Sequence, residues 1–226
     1  MPFLAEFDWT SLRLSTPVAL SAVALIGYLV GRRNREQQQL SSEVQARREL
    51  KRAQAVAKEL ERIAAYDSLS GLLNRRSLFS RIGIEIERSM RLDVPLTGLM
   101  IDIDRFKSIN DNFGHQCGDL VLREIGGRLS AGLRKYDYAG RYGGEEFFVV
   151  LSNSNEEQSL RIGERFRHDI AECRFECGGE NIGITVSIGV AQYRPGESQE
   201  SWIERADRAM YQAKQAGRNM ILTDGA

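Results

Sequence analysis

Two strand-like runs, Tyr138–Tyr142 and Glu145–Leu151, close on Gly143-Gly144, and no other segment restricts the fold as much. Two glycines between such runs predict a tight β-hairpin, because both central positions can adopt positive φ. A hairpin commits this part of the chain to an antiparallel sheet. Around it, Leu96–Ile103 reads as a buried apolar strand that runs out into carboxylates. Leu120–Leu133, Glu156–Glu172 and Ser201–Ala216 have helical periodicity. Ile182–Gln192 alternates as a strand, and Asn219–Leu222 is a short last one. The order β-α-β-β-α-β predicts an α+β, ferredoxin-like core with an antiparallel-containing central sheet.

The segment before that core is different. Leu14–Gly31 has no charged residue, and Arg32, Arg33 and Arg35 follow at once. About 18 apolar residues is near the short end for a membrane span. The positive flank on the carboxyl side predicts a retained single-pass helix, with a short extracytoplasmic segment 1–13 and everything after it in the cytoplasm. A cleaved signal peptide would carry its positive charge ahead of the apolar run. The expected location is the inner membrane of a bacterium. Segment 32–65 lacks Gly and Pro and is rich in helix formers. Ala46, Leu50, Ala53, Ala57, Leu60 and Ala64 recur at spacings of four and three. That is the seam of a dimeric coiled coil, predicting a homodimer. The remaining 66–226 is the globular domain.

Positive and negative charges balance at 31 each, which argues against a nucleic-acid partner. Two histidines, His115 and His168, cannot build a histidine-rich metal site. Cys117, Cys173 and Cys177 read as reduced thiols, with Cys173 and Cys177 spaced to share a helix face.

Chemistry concentrates in two places. In Arg141-Tyr142-Gly143-Gly144-Glu145-Glu146-Phe147, two carboxylates follow the turn, and the bare Gly143 and Gly144 let a phosphate approach the backbone. In Ile101-Asp102-Ile103-Asp104, a buried strand emerges into acidic residues. If the strands pair, Asp102 converges with Glu145, a donor set suited to a hard cation such as Mg²⁺. Taken alone, Gly-Gly-Glu-Glu would equally be a surface hairpin with solvated charges.

From Asp67 to about Leu222 the chain resembles the GGDEF family of diguanylate cyclases. The resemblance rests on several motifs in the family's order. Asp67-Ser68-Leu69-Ser70-Gly71-Leu72-Leu73-Asn74-Arg75-Arg76 matches the opening signature, with Ser70 where Thr is common. Asp102-Ile103-Asp104 and Asn110-Asp111-Asn112-Phe113-Gly114-His115-Gln116-Cys117-Gly118-Asp119 follow. Then come the hairpin in its GGEEF version, Ala206-Asp207-Arg208-Ala209-Met210-Tyr211-Gln212-Ala213-Lys214, and Gly217-Arg218-Asn219.

The resemblance implies a nucleotidyl-cyclase-type core that condenses two GTP into cyclic di-GMP. It implies Mg²⁺, with Mn²⁺ as an alternative, held by Asp102, the Ile103 carbonyl, Glu145 and Glu146. Glu145 is the expected acceptor of the hydroxyl proton. Asn110 and Asp119 are expected to read guanine, with His115 beside the ribose. Read from the residues alone, Asp119 is equally an N-cap of a helix starting at Leu120. Lys214 and Arg218, one helical turn apart, are expected to grip phosphates from one face. Arg134 and Asp137, with Arg165, match the family's inhibitory product site, with a surface ion pair as the rival. A catalytically silent module binding cyclic di-GMP is the alternative function, and the intact acidic cluster argues against it.

Overall fold

A computed structural model describes residues 16–225, excluding the side chains of 16–20, 40–43, 62 and 63. The chain divides into two units, 1–59 and 60–226. Helix α1 (Thr16–Ala65) is continuous, so the apolar run and the charged segment form one helix. The run's first two residues, 14 and 15, lie outside the described residues. Among the described residues no helix is long and apolar enough to cross a membrane. Leu50 and Leu60 of the expected seam are exposed.

In the second unit the elements are α2 (Arg75–Leu92), β1 (Leu96–Ile103), α3 (Phe106–Phe113), α4 (His115–Gly132), β2 (Tyr138–Arg141) and β3 (Glu146–Ser152). They continue with α5 (Glu156–Ala171), β4 (Arg174–Cys177), β5 (Glu180–Gly183), β6 (Val186–Gln192), α6 (Gln199–Gln215) and β7 (Ile221–Thr223). Five strands form one sheet in the order β2-β3-β1-β6-β7, antiparallel except for the β6–β7 pair. Its first four strands have the expected ferredoxin-like order.

Both faces of the sheet are covered. Leu99, Ile101, Phe147, Val149 and Ile188 pack beneath α4 and α5 with Val121, Ile125 and Phe166. Met100, Phe148 and Val150 pack on the other face with Leu78, Ile82 and Trp202 of α2 and α6. Burial on both sides explains why β1 is apolar along most of its length, with Thr97 and Asp102 as its polar residues. Trp202 is fully buried and donates its indole N–H to the Ala191 carbonyl at 2.8 Å. A Cβ at Gly189 would lie 2.0 Å from the Ala206 carbonyl oxygen, so α6 sits directly on β6 backbone.

Several expected elements differ. Gly114, at φ 80°, breaks the segment after β1 into two helices, and α4 starts at His115 instead of Leu120. The expected strand over Ile182–Gln192 is two strands. Its first residues belong to a separate β4–β5 hairpin. That hairpin turns on Gly178 and Gly179, at φ 62° and 88°. Gly143 and Gly144 are not in the left-handed region, contrary to the reason given above for their presence. At Gly143 the Glu146 carboxylate occupies the space a Cβ would take, 2.2 Å away.

Candidate active site

Strands β1 and β3 pair with Asp102 opposite Glu146. The Ile103 N–H donates to the Glu145 carbonyl at 3.3 Å, which ties the hairpin tip to the strand end. The expected convergence of the two acidic segments is therefore present. Helix α6 adds Lys214, whose ammonium lies 2.7 Å from Asp102 Oδ2. Asp102 is 3% exposed, and its Oδ1 is buried with no hydrogen-bond partner. Burial pushes its carboxyl up to about 6, Glu145 and Glu146 add to the rise, and Lys214 opposes it. Glu145 is also raised, chiefly by burial and further by Glu146, against Lys214.

A buried carboxylate oxygen without a partner is costly unless a cation or donor arrives. Among the described residues no group of three His, Cys, Asp or Glu side chains stands ready to cage a metal. The donors fit Mg²⁺ in the way that ion is usually held, by one or two carboxylates with water and substrate phosphate completing its shell.

The hairpin tip is braced from below. Arg141 donates from Nε and Nη2 to the Gly144 carbonyl at 3.1 and 2.6 Å. Its Nη1 reaches Asp67 Oδ2 at 3.2 Å. Asp67 also accepts from the Ser70 N–H and hydroxyl, each at 2.7 Å. Burial works against its ionisation, but Ser70 and Arg141 outweigh it and hold the carboxyl below its ordinary value. Sequence reasoning assigned neither residue a role. They are 74 positions apart, and no local spacing relates them.

On α3, Asn110 lies against α4. Its Oδ1 would be 2.0 Å from a Cβ at Gly118, so a larger residue there would displace the Asn110 amide. Asp119 is the next residue, exposed and inside α4, which removes the N-cap reading. Asn110 thus lies beside Gly118, the residue before Asp119, with His115 exposed at the start of the same helix.

The family model for "Diguanylate cyclase, GGDEF domain" matches residues 64–220. The chain belongs to the GGDEF family of diguanylate cyclases. It is 44% identical over 158 residues to diguanylate cyclase DgcP of Pseudomonas aeruginosa, covering 70% of this chain and 24% of that protein. It is 41% identical over 167 residues to response regulator PleD of Caulobacter vibrioides, covering 73% and 37%. The chain thus spans only 24% and 37% of the length of these two relatives. The coiled coil and GGDEF domain of DgcB from Caulobacter crescentus, solved in complex with c-di-GMP, superposes with a TM-score of 0.76 at 28% identity, covering 81% of this chain and 97% of that one. Diguanylate cyclase SiaD of Pseudomonas aeruginosa, solved with its activator SiaC, gives 0.69 at 34%, covering 92% and 85%.

Two expectations about this GGDEF domain need correction. Lys214 and Arg218 do not share a helix face. Helix α6 ends at Gln215, and Arg218 sits in a turn at φ 66°. The cysteines are not all free. Cys117 at the start of α4 is bonded to Cys177 on β4, 60 positions away, with Cα atoms 5.4 Å apart. Cys173 remains a thiol and accepts from Arg128 Nη2 at 2.7 Å. It precedes β4, so Cys173 and Cys177 share no helix.

The expected product site is only partly assembled. Asp137 accepts from the backbone N–H groups of Arg134 and Ser152, both at 3.1 Å, and so braces its own loop. Arg134 is exposed and lines a cavity of about 670 Å³ with Asp137, Tyr66, Arg81 and Tyr138. Arg165 donates to the Gly132 carbonyl at 2.6 Å, near this loop but outside that cavity lining.

Proposed function

We propose that this chain is a Mg²⁺-dependent diguanylate cyclase that condenses two GTP into cyclic di-GMP and two pyrophosphates. The observation that carries the reading is Asp102, buried with one oxygen unpartnered beside two further carboxylates and one lysine. The metal would be held by Asp102, the Ile103 carbonyl and Glu145 or Glu146. It would neutralise charge on the triphosphate and lower the pKa of the attacking 3′-hydroxyl.

The protein's own groups have separable tasks. Gly144, with open space where a side chain would stand, leaves the backbone open to phosphate, and Gly143 does so when the Glu146 carboxylate turns to the metal. Glu145, whose carboxyl burial holds above its ordinary value, serves as the proton acceptor for a hydroxyl. Lys214 moves from Asp102 to phosphate oxygens once substrate supplies them. Asn110 and Asp119 select guanine through its N1–H and N2–H donors, which adenine does not offer together. His115 lies beside the ribose.

The product has two-fold symmetry, so two GTP-loaded domains facing each other are the natural catalyst. The α1 seam, exposed at Leu50 and Leu60, would raise the effective concentration of that pair. Specific activity should therefore fall on dilution; a constant value over a hundredfold range, with monomer by sedimentation, refutes the dimer. Arg134, Asp137 and Arg165 form the proposed inhibitory site, and Arg134→Ala should abolish inhibition by added product. The apolar run 14–31 supports a membrane tether on sequence alone. Recovery of the full chain in the soluble fraction of lysed cells would overturn the tether. Incubating the purified protein with GTP and Mg²⁺, then identifying products by mass, tests the activity itself. Absence of cyclic di-GMP would refute it.

A further inference from the structure

Asp104 stands two residues beyond Asp102, is 6% exposed, and uses both of its oxygens. Oδ1 accepts from the Ser187 hydroxyl at 2.7 Å. Oδ2 accepts from the Thr185 hydroxyl at 2.6 Å and from the Asn219 backbone N–H at 3.0 Å. Its own N–H donates to the Thr185 carbonyl at 2.9 Å. One carboxylate therefore joins the end of β1, the start of β6 and the turn after α6.

That turn needs holding. Gly217, Arg218 and Asn219 have φ of 130°, 66° and 47°, three consecutive residues on the positive side. Left-handed backbone is unfavourable for a residue like arginine and persists only where surroundings fix it. The fixing bonds are few. Arg218 N–H donates to Ala213 at 3.0 Å, Asn219 N–H donates to Asp104, and the Asn219 side chain accepts from Arg167 at 2.6 Å. Arg218 itself is exposed and lines a cavity of about 320 Å³ with Asp104, Arg105 and Thr185.

We propose that Asp104 is a positioning residue for substrate. By clamping the Gly217–Asn219 turn to the two strand ends, it sets where the Arg218 guanidinium meets the triphosphate. This inference rests on the cyclase reading. Bonds to an ionised carboxylate are among the stronger ones in proteins, so losing the clamp should be felt in binding.

The test is a double-mutant cycle in the full chain with Asp104→Ala and Arg218→Ala, reading KM and kcat for GTP and the calorimetric dissociation constant of GTP. Asp104→Ala should raise KM and that constant about tenfold, with kcat within about threefold. The double variant should bind GTP no more than about twofold worse than Arg218→Ala alone. Asp104→Asn should restore KM to within about threefold of wild type, because an amide keeps one acceptor while the Ser187 hydroxyl can turn to accept from the other end. Should Asp104→Ala lack a cooperative melt, Thr185→Val replaces it in the cycle, with an expected rise of about threefold. An unchanged KM, or effects that add in the double variant, would overturn the proposal. Wild type that binds GTP but makes no cyclic di-GMP would instead overturn the cyclase reading, and the binding cycle would still decide the role of Asp104.

Discussion

Asp102→Asn should make the metal-free protein more stable at neutral pH while abolishing its use of Mg²⁺. Asp102 is buried, Oδ1 has no partner, and the Lys214 ammonium holds only Oδ2. Its carboxyl rises from 3.8 to about 6, first through burial, then through Glu145 and Glu146, with Lys214 opposing. The folded-state value lies above the unfolded one. Stability is therefore full below about pH 4, is lost as pH rises through about 6, and stays low above that. About two pH units at ~1.4 kcal/mol each is a loss of about 3 kcal/mol. Asparagine mimics the protonated form at every pH and avoids the loss. Lys214 remains 26% exposed and can be solvated, so its lost charge partner costs little. In a domain of this size the gain corresponds to about 6–12 °C in Tm.

The assay is thermal melting in chelator from pH 4 to 8. The variant should melt above wild type at pH 8, and the gap should close toward pH 4. Mg²⁺ with a non-reactive GTP analogue should raise the wild-type melt and leave the variant unmoved. A variant that melts at or below wild type at pH 8, or a gap independent of pH, would refute the electrostatic reasoning.

Glu145→Gln should reduce cyclic di-GMP synthesis below about a tenth of wild type at saturating Mg²⁺ with the melt preserved, and greater retained turnover would remove Glu145 from the chemistry. Arg141→Ala severs the fork to Gly144 and Asp67; turnover should fall about tenfold while Tm falls only a few degrees, because the ion pair is partly exposed, and turnover within twofold of wild type would show that the hairpin needs no brace. The Cys117–Cys177 bond closes a 60-residue separation, which chain-entropy arguments value at ~4 kcal/mol. A dithiol reductant should accordingly lower the melt by about 10 °C, Cys117→Ser should melt low with or without reductant, and a reductant-independent wild-type melt would show the pair to be unbonded in solution.

What could be read from sequence followed from how far apart the determining residues lie. Strand β1 was legible to the residue, since burial on both faces makes Leu96–Ile103 predominantly apolar. The hairpin was placed correctly for a partly wrong reason: neither Gly143 nor Gly144 is in the left-handed region. The β4–β5 hairpin carried the very Gly-Gly signal used elsewhere, but β4 alternates over only four residues and β5 is mostly exposed, too little pattern to stand out. The acidic cluster was legible because each half is a contiguous motif. The braces were not. Arg141 meets Asp67 across 74 positions, and Asp104 meets Ser187 across 83 and Asn219 across 115. Such pairs exist only after the sheet has formed, and no local pattern encodes them.

The site's position is inherited from the core rather than set by its own charges. Asp102 and Glu146 repel each other, so the backbone ladder, and not the charge of their side chains, holds the two strand ends together. Their register is fixed further along the same pair of strands. Gly98 has no side chain because the Phe148 ring and Trp202 fill that space, and a Cβ there would lie 2.4 Å from the ring. Sliding β3 by one residue would drive a side chain into that gap and exchange Phe147 with Phe148 between the two cores. It would also carry Glu146 about 3.3 Å along the strand, away from Asp102. The apolar packing thus holds the carboxylates together against their repulsion, and the unsatisfied Asp102 that results is what a cation would relieve.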